Sequence, residues 1–271
     1  MDPERIRVRA HFHYENGTGS NPKDELSNWL QAEGEERLLE VAKLVQPHVC
    51  ALLCLLLGRD DPAGIVAGGS ATFVDTGSAR LIVTAEHVAE AIFAPGMRAI
   101  LAAGNGTTPI DISHLRDRVA SDRDADVAAI CLPDDFDVTP LQRRFLRVSA
   151  WPPARARKGD LAFFLGYPGL HREVVPGGLR LFLTPFCDFV TSVIDRQFYL
   201  VDENLERLAA NLSGQDLVPF GPVGGLSGSV VFANRDGTLE PVGILKQGGE
   251  GVDAMFFVAH IDLIQANGDV A

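Results

Sequence analysis

The sequence predicts an all-β fold, a barrel or sandwich, preceded by a short β–α extension. Three observations carry that prediction. Beyond Pro47, apolar or alternating runs of strand length recur about a dozen times. Gly, Pro, Asp and Asn punctuate those runs. The stretches between them are too brief for the crossover helices that βαβ units need.

The elements follow in order. Residues 5–14 alternate, with Ile6, Val8, Ala10, Phe12 and Tyr14 on one face and Arg7, Arg9, His11 and His13 on the other, as a half-buried strand would. His11 and His13 read as part of a polar strand face rather than a metal pair, because no further ligand cluster lies nearby. Asp24 to Leu44 reads as a helix, with Leu26, Trp29, Leu30, Leu38, Leu39, Val41, Ala42 and Val45 supplying its apolar side and acidic residues in its first half. Gly34 is expected to weaken or interrupt it. Residues 1–46 are therefore expected to form an extension, and 47–271 the main body. Strands are expected at Val49–Leu57, Ser70–Val74, Arg80–Thr84, Arg98–Ala102, Val127–Leu132, Asp160–Gly166, Leu179–Thr184, Asp188–Ile194, Gln197–Val201, Ser229–Ala233, Pro241–Lys246 and Ala254–Ala259. Short helices are expected at Asn204–Leu212 and Ile261–Ala266.

Composition narrows the function classes. Apolar residues are 46% and charged residues 22%, which suits a buried core. The net charge of −12 repels phosphate and argues against nucleic acid as a general partner. The apolar run Val49–Leu57 is too short to span a bilayer, and the first residues lack the apolar segment of a signal peptide, so no membrane partner and a cytoplasmic location are expected. Cys50 and Cys54 lie four strand steps apart, about 13 Å, too far for a disulfide. With Cys131 and Cys187 they are expected to be reduced thiols, mostly buried.

Three local patterns carry chemistry. Arg80-Leu-Ile-Val-Thr-Ala-Glu-His-Val ends a strand in a tight turn at His87, an imidazole suited to proton transfer near neutral pH. Asp124-Ala-Asp126-Val-Ala-Ala-Ile-Cys puts a carboxylate at the start of an apolar strand, where a histidine partner would offset the cost of burial. Gly224-Gly225-Leu226-Ser227-Gly228-Ser229 surrounds a serine with glycines, which allow sharp turns and bring amides close to a substrate oxygen.

Taken together, these motifs resemble the trypsin/chymotrypsin-like serine peptidase superfamily, especially its bacterial and intracellular members. The chain order His87, Asp126, Ser227 matches, and it is not the Ser-acid-His order of an α/β-hydrolase. Gly68-Gly69-Ser70-Ala-Thr-Phe-Val resembles the strand before the histidine strand. Lys158-Gly-Asp-Leu-Ala-Phe-Phe-Leu-Gly-Tyr-Pro-Gly169 resembles the opening of the second barrel. Pro241-Val-Gly-Ile-Leu-Lys-Gln-Gly248 resembles the strand that pairs with substrate backbone. The likeness covers residues 47–267 and implies two six-stranded antiparallel β-barrels, at 47–150 and 151–267.

The resemblance implies a serine endopeptidase acting through a His87-Asp126-Ser227 triad, with the amides of Gly225 and Ser227 as oxyanion hole. It implies protein or peptide substrates contacted by Gly221, Lys246, Gln247 and Gly248, and neither cofactor nor metal. Gly221 offers no carboxylate at the base of a specificity pocket, which disfavours Arg or Lys at the cleavage site. Lys246 or His260 would instead suit an acidic residue.

Some residues depart from the family pattern. Leu226 stands where the trypsin branch has an aspartate that receives a new N-terminal amine, so no such activation is expected. Ser229 replaces a glycine. Glu86 beside His87 would raise the imidazole pKa if it faces the site. Lys246 aligns where a hydroxyl usually faces the catalytic carboxylate, and is expected to pair with Asp126 and compete with His87. Leu226 and Lys246 keep a second reading open: a catalytically silent protease-fold module that binds a peptide or protein partner. A third keeps the peptidase as an effector in a bacterial stress or defence system, with residues 1–46 docking a partner, covering the site or capping the fold.

Overall fold

The computed structural model describes residues 25–58, 64–104, 107–169, 172–175, 178–202, 224–235, 238–248 and 254–271. The expected strand over 5–14, with His11 and His13, and the expected helix at Asn204–Leu212 lie outside them. Helix α1 runs over Glu25–Val45, and Gly34 does not interrupt it. One glycine costs a helix only about 1 kcal/mol. Burial of Leu38 and Val45, both almost fully enclosed, outweighs that cost. α1 packs on the second half of the molecule, with Val41, Ala42 and Val45 against a cluster that includes Leu165, Tyr167 and Leu181.

The first β unit is built from β1 (Val49–Leu56), β2 (Ile65–Asp75), β3 (Arg80–Thr84), then helix α2 (Glu86–Ile92), β4 (Met97–Ala102), β5 (Ile110–Asp111), β6 (Val119–Asp122), β7 (Val127–Cys131) and β8 (Leu146–Arg147). These strands form one sheet of order β5-β4-β1-β2-β3-β7-β6, with β8 parallel to β2. The expected closed six-stranded barrel is therefore an open, eight-stranded curved sheet. β5 and β6 are too short to meet. A 3-10 turn, Ser113–Arg118, fills the gap and buries Leu115 beside Ile112.

The second unit comprises β9 (Leu161–Gly166), a separate hairpin of β10 (Arg172–Val175) and β11 (Gly178–Leu181), then β12 (Thr184–Ile194), β13 (Gln197–Asp202), β14 (Val230–Arg235), β15 (Thr238–Gly248) and β16 (Ala254–His260). Here the barrel closes, in the order β12-β13-β16-β15-β14-β9. The expected strands Leu179–Thr184 and Asp188–Ile194 divide differently: the first belongs to the hairpin, and the second begins at Thr184. The expected C-terminal helix is reduced to a 3-10 turn, Ile261–Leu263, followed by a bridge between Ile264 and Val270.

Alternation of side chains along each strand produces three cores. One lies inside the curved sheet, around Leu52, Phe73, Ile82 and Leu101. One lies inside the closed barrel, around Phe164, Phe198, Phe256 and Val258. The third joins the two units, with Val83 and Val127 against Leu165, Tyr167 and Ile244. Arg143 ties the same junction: its Nε donates to the Val49 carbonyl (2.6 Å), and its Nη2 to the Ala103 carbonyl and the Tyr167 hydroxyl (3.0 Å each). None of the four cysteines forms a disulfide, and burial pushes the Cys50 thiol up to about 12.

Phe164 is fully buried, stacked on Phe186 at 4.9 Å and edge-on to Phe256 at 5.1 Å. Phe164→Ala is expected to lower the unfolding free energy by about 3–5 kcal/mol, read as an earlier midpoint in urea or guanidinium.

Candidate active site

His87 is the second residue of α2, not part of a bare turn after β3 as the sequence suggested. Ala85, extended at φ −77° and ψ 149°, supplies no capping side chain. The His87 amide, a first-turn N–H without an intrahelical acceptor, donates instead to Asp126 Oδ1 at 3.0 Å. The His87 ring engages the same carboxylate, with Nδ1 2.9 Å from Oδ2 and 3.0 Å from Oδ1. One aspartate thus caps the helix and orients the ring it carries. It also fixes the tautomer, since Nδ1–H must donate and Nε2 is left to face other chemistry.

Asp126 ends the turn between β6 and β7 with φ 57°, left-handed for a residue that carries a side chain. Such a conformation costs about 1–3 kcal/mol and persists only where its surroundings enforce it. Asp122 is part of that enforcement. Its Oδ1 accepts the amides of Asp124 (2.8 Å) and Ala125 (2.9 Å), and its Oδ2 accepts Arg196 Nη2 from the second barrel. The Ala125 amide, followed by Arg196, holds the Asp122 carboxyl below the usual range.

The pKa of His87 is raised. The hydrogen bond to Asp126 is the largest cause, the Asp126 and Glu86 charges add to it, and burial opposes them. Glu86 therefore acts in the direction expected from the sequence. Its own carboxyl is raised, first by burial and then by Glu90.

The Ser227 loop projects from the second barrel toward the end of β3 and the start of α2. Gly225 and Gly228 take φ 97° and 89°, a region that glycine enters at little cost. The Ser227 carbonyl accepts the Ser70 amide at 2.8 Å, and the Gly228 amide donates to the Leu245 carbonyl at 2.7 Å. A Cβ on Gly228 would lie 2.1 Å from the Ser70 carbonyl oxygen, 2.2 Å from Thr84 Oγ1 and 3.1 Å from the Ala85 nitrogen. The residue after Ser227 is thus pressed against the end of β3, three residues before His87.

The carbonyls of the loop face partners. Gly224 accepts from the Gly169 amide, and Leu226 from the Ser229 amide. In a trans peptide the N–H points opposite to the C=O. The N–H groups of Gly225 and Ser227 are therefore turned away from those partners. Among the described residues they donate to no backbone carbonyl.

The other expected site residues fall out variously. Gly221 lies outside the described residues. Gln247 and Gly248 pair with Phe257 and Phe256 of β16, while the pairing of β15 with β14 stops at Ile244, so 246–248 keep one strand edge without a β14 partner. Lys246 sits at a bulge between Leu245 and Gln247. Its Nζ reaches Gln197 Oε1 at 3.3 Å, and the expected pairing with Asp126 is not formed. The bulge re-aims the side chain, which sequence alignment cannot register. His260 is fully buried against Phe198, 5.3 Å between ring centroids, and burial lowers its pKa. It cannot receive an acidic substrate side chain as the sequence had suggested. Leu226 is buried in the core of the closed barrel. The fixing roles of Asp122 and Arg196 are not legible in the sequence, because Arg196 lies 74 residues from the carboxylate that it holds. Asp122 left one local sign, an aspartate two and three residues ahead of the amides it accepts.

The fold is chymotrypsin-like. It rests on the strand order, with one closed six-stranded antiparallel barrel joined to an eight-stranded sheet. Among solved structures, a thermostable serine protease from an extremophilic microorganism is similar at 13% identity, with a TM-score of 0.48 over 79% of this chain and 91% of that chain. No protein-family model matches the chain, and no curated protein is significantly similar in sequence. Among the described residues, no helix is long and apolar enough to cross a membrane.

A titration of His87 followed by NMR is expected to show a midpoint above the ordinary histidine value of about 6.5. Glu86→Gln should lower that midpoint by removing one negative neighbour. Because the folded-state value is raised, stabilisation from the pair is complete below the unfolded value and is lost as pH rises through the raised one.

Proposed function

We propose that this chain is a serine hydrolase that cleaves peptide bonds in a protein or peptide substrate. The observation that carries the reading is the Asp126 carboxylate bonded to both the ring and the amide of His87, with the glycine-flanked Ser227 loop against the same helix start.

In this reading Ser227 Oγ attacks the scissile carbonyl carbon while His87 Nε2 accepts its proton. Asp126 stabilises the imidazolium that forms. The carbonyl oxygen becomes an oxyanion held by the Gly225 and Ser227 amides. The C–N bond then breaks as His87 returns the proton to the departing amine. Water, deprotonated by His87, releases the acyl group from Ser227. No step uses a metal or organic cofactor. The edge at Lys246, Gln247 and Gly248, which β14 does not pair, offers main-chain pairing to an extended substrate. Residues 47–271 form the hydrolase body in this reading, and residues 1–46 an extension whose helix braces the second barrel.

Two grounds for a silent binding module are weakened. Lys246 is engaged elsewhere, and Leu226 contributes to a core rather than leaving a void.

Purified protein is expected to hydrolyse peptide substrates and to be labelled at Ser227 by a fluorophosphonate. Ser227→Ala should abolish labelling and lower kcat by about 10⁴-fold or more. Hydrolysis undiminished in Ser227→Ala would overturn the assignment. Folded wild-type protein that neither labels nor turns over would favour the binding module.

A further inference from the structure

Two buried hydroxyls lie under the Ser227 loop, and the mechanism above does not use them. Ser70 and Ser229 are both fully enclosed. Ser70 Oγ donates to the Gly225 carbonyl at 2.7 Å and accepts the Tyr167 amide at 2.9 Å. Ser229 Oγ donates to the Leu226 carbonyl at 2.7 Å. The two hydroxyls converge over Gly166, the last residue of β9. A Cβ there would lie 2.4 Å from Ser229 Oγ, 2.9 Å from Ser70 Oγ and 2.8 Å from Leu226 Cδ2. A side chain at 166 would therefore displace both hydroxyls and the leucine together.

These bonds fall on consecutive peptide planes. The Gly224 carbonyl, bonded to the Gly169 amide, shares its plane with the Gly225 N–H. The Gly225 carbonyl, bonded to Ser70, shares its plane with the Leu226 N–H. The Leu226 carbonyl, bonded twice to Ser229, shares its plane with the Ser227 N–H. Flipping either of the last two planes would strip the carbonyl of buried Gly225 or Leu226 of its donor. The main chain of Ser70 extends the same control. Its amide holds the Ser227 carbonyl, and its carbonyl accepts Thr84 Oγ1 at 2.9 Å from the strand leading to His87. Ser70 alone thus connects the curved sheet, the closed barrel, the Ser227 loop and the histidine strand.

We infer that Ser70 and Ser229 are positioning residues that lock the Gly225 and Ser227 amides in their donating orientation, so that the loop is set before substrate binds and without a charged residue at position 226. The inference rests on the hydrolase reading above. Leu226, buried beneath the loop, supplies the apolar part of the same lock. Preset donors act where charge develops, so losing them weakens the transition state more than the bound substrate.

The test compares wild type with Ser70→Ala and Ser229→Ala in steady-state peptide hydrolysis and in inhibition by a peptide boronic acid, which forms a tetrahedral adduct. Each variant is expected to lose about 10-fold to 100-fold in kcat, with KM within about twofold and boronate affinity falling in parallel with kcat. The His87 titration midpoint should not move, because neither hydroxyl touches the ring. If Ser70→Ala is poorly folded, Ser229→Ala decides, since it keeps the Ser229 amide bond to Leu226. Folded variants with wild-type kcat and boronate affinity overturn the inference while leaving the hydrolase reading intact. If wild type itself is inert, the hydrolase reading fails, and hydrogen–deuterium exchange over 224–228 decides the loop lock: a rise of about tenfold in Ser70→Ala supports it, and unchanged exchange overturns it.

Discussion

The rest of the structure depends on the close approach of Gly228 to the middle of β2 and the end of β3. No side chain fits there: a Cβ would overlap the Ser70 carbonyl oxygen and Thr84 Oγ1. Only glycine lets the loop from the second barrel press its backbone against the strand that leads into α2. That contact brings the residue after Ser227 to the strand that leads into α2. The apolar cluster shared by the two units, and the bonds of Arg143 across it, hold the same geometry from below.

Around that contact, polar groups are satisfied by partners from other segments. Asp126 serves the amide and ring of His87, and Asp122 serves the turn that presents Asp126. The positive φ of Asp126 stores strain at the place where orientation matters most. Arg196 carries the restraint across to the second barrel. The turn that presents Asp126 is thus held by groups from both units, and the two halves are coupled through that turn as well as through their cores.

Loop anchoring in this chain depends on apolar burial and neutral hydroxyls. Leu226 faces the interior of the closed barrel, where a charge would need a partner to offset its desolvation. Ser229 carries a side chain that glycine would lack, and the hydroxyl of that side chain finds the Leu226 carbonyl. The same economy explains Gly166, whose missing side chain makes room for Leu226, Ser70 and Ser229 together.

The sequence by itself determined the all-β class, the position and continuity of most strands, and the identities of His87, Asp126 and Ser227 as the residues to watch. Alternation, turn residues and glycine-flanked serine are local patterns, and local patterns survive in one dimension. Only the tertiary structure decided that the first sheet stays open, that α1 runs through Gly34, that Lys246 turns to Gln197, and that His260 is sealed in the core. Each of those outcomes is a competition between a local preference and contacts from distant segments. A bulge, a filled gap between two short strands, or a packed helix face carries no signature in the residues that it rearranges.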